Sequence, residues 1–180
     1  MLTPPLSLGT VEAGRLFDFL YGYFHRDFVA QKTHLNQSIY VDPRSWRLDE
    51  GKEAAFWHLT TREQTRQVRQ GNRYVPVRER LPDYARSERI EWVKQIIDNH
   101  NHASIKLFYY RENNSNRDVR LYLWAYQDDF VVILQKIGRN GAFLVTSFYI
   151  DQAHKRQDYH KRHQDYVSHA DEALVGCEWF

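Results

Sequence analysis

A chain of 180 residues with 42% hydrophobic side chains suits one globular domain, because two halves would each be too small to bury a good core. Its 25 Lys and Arg nearly cancel its 23 Asp and Glu, so net charge does not announce a nucleic-acid binder. The one cysteine, Cys177, rules out an intrachain disulfide and leaves no paired Cys/His zinc spacing. No stretch approaches the roughly 20 apolar residues of a bilayer span, and no basic, apolar leader opens the chain, so a cytoplasmic location without a membrane partner is expected.

The first predicted element is a helix over residues 11–29. Leu16, Phe17, Leu20, Phe24 and Phe28 recur near helical spacing, while Arg15, Asp18, His25 and Arg26 can face water. Thr10 is a candidate N-cap. Residues 38–41 (SIYV) read as a short strand closed by Asp42-Pro43. From Gly51, GKEAAFWHLTTREQ starts as a helix and delivers His58 at the end of an apolar AAFW run. Residues 66–82 are polar and basic, interrupted by Gly71, Pro76 and Pro82, and read as a long loop. Arg62, Arg66, Arg69, Arg73, Arg78 and Arg80 face only Glu63 and Glu79 in this region, which suits either a solvated face or a phosphate-facing one.

A helix is expected over 83–99, capped by Asp83, with Ile90, Val93, Ile96 and Ile97 as its buried stripe. Four strands follow at 105–110, 119–126, 130–137 and 143–150. Their links are turn chemistry and too short for parallel crossovers. The charged segment 152–170 reads as an exposed C-terminal helix, with His154, His160 and His163 solvated. The expected fold is therefore a single α+β domain over 1–180. Helices at about 10–100 pack on a four-stranded antiparallel meander at about 104–150, and a helix at about 152–170 follows.

Period-2 alternation puts Val119, Leu121, Leu123 and Ala125 on one face of the second of these strands and Arg120, Tyr122, Trp124 and Tyr126 on the other. On the last strand, Ala142, Leu144, Thr146 and Phe148 share a face opposite Phe143, Val145, Ser147 and Tyr149. With Lys106 beside Phe108 and Tyr110, one sheet face collects cations and aromatics. It is either a ligand face or a wet face with basic chains lying over rings. His58 also has two readings: a satisfied helix-end residue, or the group a nuclease without a metal needs. In the second role it takes the ribose 2′-OH proton or protonates the leaving 5′-oxygen, while Arg or Lys balances phosphate charge and a hydroxyl orients the phosphate. No phosphate-binding loop, dinucleotide fingerprint, zinc-protease helix or nucleophile elbow occurs, and Asp128-Asp129 and Asp49-Glu50 sit in turn-like segments. No metal and no cofactor are expected.

The ordered blocks FWHLTTRE, ERIEWV, RLYLWAY, FVVILQKI and LVTSFYI, spread over residues 10 to 165, resemble the phage- and prophage-associated branch of the barnase, EndoU, colicin and RelE-like (BECR) ribonuclease superfamily. The resemblance implies helices followed by a four-stranded antiparallel sheet, and metal-independent RNA cleavage of a toxin-like kind. It implies His58, Arg120 and Thr146 as catalytic residues, with Arg62, Lys106 and Tyr149 as substrate-binding ones. It also implies RNA as the partner, with a cognate antitoxin or immunity protein as a second. The alternative expectation is a non-catalytic RNA- or protein-binding module of a phage or defence system.

Overall fold

A computed structural model gives the structure of residues 2–180. Helix α1 (Leu16–Phe24) is entered through a 3₁₀ turn at Ala13–Arg15 and runs into a π-helical turn at His25–Ala30. Leu16, Leu20, Phe24 and Phe28, four residues apart, are all buried, as the periodicity requires. After two edge strands, β1 (His34–Leu35) and β2 (Ile39–Asp42), a small hairpin of β3 (Leu48–Asp49) and β4 (Lys52–Glu53) leads into α2 (Ala54–Thr60).

Residues 61–82 are not a loop. They form two ten-residue strands, β5 (Thr61–Gln70) and β6 (Arg73–Pro82), paired in unbroken antiparallel register from Thr61↔Pro82 to Gln70↔Arg73. The overlooked signal is Gly71-Asn72, a two-residue hairpin link between β-compatible runs. Pro76 and Pro82 argued against a strand. In a ribbon of two strands, however, every second N–H points away from the partner, where a proline removes no ladder bond. Gly71 sits at φ +61, as a tight hairpin turn demands. Gly71→Ala is expected to weaken the ribbon by about 1–2 kcal/mol without unfolding the body. Faster amide exchange confined to β5 and β6 would show it.

The expected helix over 83–99 is two helices, α3 (Tyr84–Ser87) and α4 (Ile90–Asp98). Asp83 does cap the first, accepting from the Arg86 N–H at 3.2 Å. The two segments answer to different partners. The Ser87 hydroxyl donates to the Thr60 carbonyl at 3.1 Å and ties α3 to α2, whereas Ile90, Val93, Ile96 and Ile97 turn α4 toward the sheet.

Strands β7 (Ile105–Arg111), β8 (Val119–Ala125), β9 (Phe130–Ile137) and β10 (Gly141–Tyr149) pair antiparallel in sequence order. The sheet they belong to has six strands and is mixed, in the order β1-β2-β10-β9-β8-β7, because β2 joins β10 in parallel at Gly141 to Phe143. The protein is α+β. One sheet face carries Leu121, Leu123, Ala125, Val132, Leu134, Ala142 and Leu144 against α1, α2 and α4.

The opposite face is not wet. Helix α5 (Ala153–Val167) lies on it, burying Tyr159 against Phe108, Tyr122 and Trp124 with ring centroids 5.9–6.3 Å apart. His160 and His163, expected in solvent, are half-buried, 4.7 Å from the Trp124 ring and 5.9 Å from the Phe108 ring. Their α5 is amphipathic in an unusual way, burying aromatic and imidazole rings where aliphatics are the common choice. Among the described residues no helix is long and apolar enough to cross a membrane.

Candidate functional site

Seven residues make α2, too few for a stable helix alone. Burial holds it: every residue of α2 is buried except His58. Its last carbonyls gain side-chain donors beside the backbone ones, the Trp57 carbonyl also accepting from the Thr61 N–H. Thr60 and Thr61 hydroxyls donate to the Phe56 and Trp57 carbonyls at 2.8 and 2.6 Å. The His58 carbonyl accepts from the Thr146 hydroxyl and from Arg86 Nη1, each at 3.1 Å. A guanidinium at a helix C-terminus also complements the helix dipole.

His58 is thereby presented to a cleft of about 550 Å³ that is also lined by Arg47, Trp57, Arg62, Glu63, Arg80 and Arg86. Arg80 lies 4.6 Å from the Trp57 ring centre and ion-pairs with Asp49. Arg86 is paired with Asp83 at 3.2 Å. Among the described residues neither Arg47 nor Arg62 has a carboxylate within ion-pair distance, so the cleft keeps cationic groups available. Desolvation holds the His58 imidazole below its ordinary pKa of 6.5, and the positive charges of Arg44, Arg47 and Arg80 add to this against the opposing carboxylate of Glu63. His58 is therefore neutral near pH 7, the form of a proton acceptor.

The expected site residues divide into three groups. Thr146 reaches His58, but its hydroxyl is spent on the backbone carbonyl, so it acts on the histidine's position. A β-bulge between Leu144 and Thr146 resets its facing. Strict alternation would put Thr146 on the face of Ala142 and Leu144. The extra residue, Val145, shifts the phase, so Ser147 takes the core-facing place opposite Val132 while Thr146 lies opposite Ile133. Thr146→Val should cost about 1 kcal/mol in urea denaturation and Thr146→Ser almost nothing, because Arg86 still serves the same carbonyl.

Arg120 does not line the cleft and sits on β8, two strands from β10. It pairs with Gln135, which pairs with Phe143, and the guanidinium of Arg44 lies 5.5 Å over the Phe143 ring. Arg44 is held below the usual arginine range by burial and by the charges of Arg47 and Arg120. Arg120 Nη1 is 3.5 Å from Glu112, whose carboxylate also accepts from the Tyr122 hydroxyl. The Nε atoms of both Arg44 and Arg120 are buried without a partner. Like-charged guanidiniums with spare donors, Arg44 held at φ +62, make a strained cationic pair, of which Arg44 is the one whose charge reaches His58.

Arg62 lines the His58 cleft and also a neighbouring one of about 320 Å³ that includes Tyr149, Arg86 and Lys155. The Tyr149 ring is covered by the Arg89 guanidinium at 4.6 Å. Lys106 does not join. It sits on β7, three strands from β10 or about 14 Å, with Nζ 4.7 Å from the Tyr126 ring, 5.4 Å from Trp124 and 3.2 Å from His160 Nδ1 under α5. Arg44, Arg47 and Arg86 carry no signal in the sequence, and Arg80 is read there only as part of a basic loop with either a solvated or a phosphate-facing surface. Folding residues 61–82 about Gly71-Asn72 would have set Arg80 opposite Glu63, two rungs from the end of α2.

Among the described residues no three His, Cys, Asp or Glu side chains gather as they would around a metal ion. No family model matches this chain, and neither curated proteins nor solved structures yield a match.

Proposed function

We propose that the chain is a metal-independent endoribonuclease, in the manner of the BECR superfamily that its sequence resembles. The observation that carries this reading is one neutral, exposed histidine set into an arginine-lined cleft. Guanidiniums bind phosphate through paired N–H groups and do so best where water is thinned.

In the reaction, His58 accepts the ribose 2′-OH proton. The 2′-oxygen bonds to phosphorus, the P–O5′ bond breaks, and the imidazolium returns its proton to the leaving 5′-oxygen. Arg47 and Arg62, with Arg44 and Arg120 behind them, stabilise the extra negative charge on the phosphorane-like transition state. Thr146 and Arg86 are positioning residues. An antitoxin or immunity protein would block the cleft by offering carboxylates to the same arginines.

The test is incubation with an RNA oligonucleotide in EDTA. Cleavage should leave a 2′,3′-cyclic phosphate and should stop when the nucleotide 5′ of the scissile bond is 2′-deoxy. Cleavage that persists there would exclude 2′-OH attack. A second reading, a non-catalytic RNA-binding module, draws on the fact that among the described residues His58 is the only imidazole lining the cleft, so no second histidine stands ready as the acid. Intact RNA over a wide pH range, with binding retained, would select it.

A further inference from the structure

The β5–β6 ribbon touches the body only near its base. Past Thr61 no residue of β5 or β6 is fully buried, and no third strand pairs with either edge. An isolated two-stranded ribbon is at best marginally stable, and this one extends by ten residues per strand, about 33 Å. It also holds the charge of the chain. Residues 61–82 contain six Arg and two Glu, a net +4, whereas the whole chain is only +2, so the remainder is net −2.

The register divides the charge evenly, three Arg and one Glu to each face, and separates the half-buried aliphatics from the fully exposed residues instead, since residues directly opposite share a face. One face carries the half-buried Val68, Val77, Glu79 and Leu81, with Arg66 and Glu79 paired at 2.7 Å. The other is exposed all along: Glu63 with Arg80, Thr65 with Arg78, Gln67 with Pro76, and Arg69 with Tyr74 near the tip. Its first rung, Glu63 and Arg80, is part of the His58 cleft wall. Arg78 and Arg69 have no carboxylate in ion-pair range among the described residues, and Tyr74 is 70% exposed.

We propose that this face is a docking arm for single-stranded RNA, with Arg69 and Arg78 neutralising phosphates, the Tyr74 ring stacking on a base, and the strand running along the ribbon into the cleft. This deepens, and for its direction rests on, the reading of the cleft as a phosphodiester site. Cations alternating with an aromatic along an exposed track are what unpaired nucleic acid binds, because every base offers a π-face. Duplex RNA fits less well, as its deep, narrow major groove excludes a ribbon. A protein partner would want apolar side chains, which this face lacks apart from Tyr74 and the prolines.

Fluorescence anisotropy with a labelled, uncleavable 2′-O-methyl 15-nucleotide oligo(U) tests it on the full chain. The triple variant Arg69→Ala/Tyr74→Ala/Arg78→Ala should weaken binding at least tenfold and shallow the log–log salt dependence by about 1.4, two phosphates' worth. Tyr74→Phe, which keeps the stacking ring, should bind within twofold of the unmodified chain. The mutated side chains are exposed, so thermal melts of all variants should coincide. Unchanged affinity in the triple variant overturns the proposal. So does an unmodified chain that ignores RNA but self-associates through the ribbon by sedimentation. Ribbon-dependent binding without any cleavage of unmodified RNA would keep the arm and sink only the nuclease reading.

Discussion

His58→Ala is expected to lower RNA cleavage by about 10²–10⁴-fold, the usual contribution of one general acid–base group, while leaving RNA affinity and the melting midpoint nearly unchanged. His58 is the exposed exception in a buried helix, so truncating it opens no cavity. Its pH dependence is sharper evidence than the loss itself. In the proposed reaction the working form is the neutral base, and desolvation by the cleft walls with the charges of Arg44, Arg47 and Arg80 holds the imidazole pKa below its ordinary 6.5. The rate should therefore rise with pH, with the free-enzyme limb centred below 6.5. Bound phosphate supplies negative charge that offsets those arginines, so the rising limb should lie lower for kcat/KM, which reports free enzyme, than for kcat. Arg44→Gln or Arg47→Gln should move the free-enzyme limb upward. A limb at or above 6.5 in the unmodified chain, or full activity in His58→Ala, removes His58 from the chemistry. The same depression links to stability. The unfolded chain protonates near 6.5 and the folded one only at lower pH, so acidification through that window destabilises the fold.

How far the sequence disclosed this arrangement depended on where the ordering forces act. Elements driven by hydrophobic period were readable: α1 from Leu16, Leu20 and Phe24, α4 from Ile90, Val93, Ile96 and Ile97, and β7 to β10 from their alternation and turns. The ribbon was not, because it buries almost nothing and so carries no period, and because its prolines are harmless only when both strands are edges. The covered aromatic face was misread for a related reason. A helix whose contact face is Tyr159, His160 and His163 looks solvated in a polarity scale although its rings pack on Trp124 and Phe108. His58 stood out from its surroundings in FWHLTTRE. The arginines around it did not, since Arg44, Arg47, Arg80 and Arg86 converge only through the turn after β2, the β3–β4 hairpin and the ribbon register. Thr146 was singled out in the sequence, yet one extra residue in β10 decides its facing, and a bulge leaves no mark in alternation until the partner strand is known.

Phe56→Ala should be the most damaging single truncation near the site, at about 3–5 kcal/mol. Phe56 is fully buried, with its ring 5.0 Å from Trp57, 5.3 Å from Tyr21, 5.5 Å from Phe24 and 6.4 Å from Phe17. Rings resist collapse into a vacated volume more than flexible aliphatics do, which places the loss toward the upper end. Against a typical domain stability of 5–15 kcal/mol that is a large share, whereas Phe56→Leu, which refills most of the vacated volume, should cost clearly less. Urea denaturation measures both, and a loss below about 1 kcal/mol for alanine would mean that the aromatic cluster does not anchor α2. The consequence for the site follows from position. Phe56 lies two residues before His58, and its carbonyl is what Thr60 closes onto. A loosened α2 therefore frees the imidazole from the cleft before the whole chain unfolds. Well below its melting midpoint, Phe56→Ala should lose kcat while keeping ribbon-dependent RNA affinity, because β5 and β6 hold their register by their own ladder and not through the core.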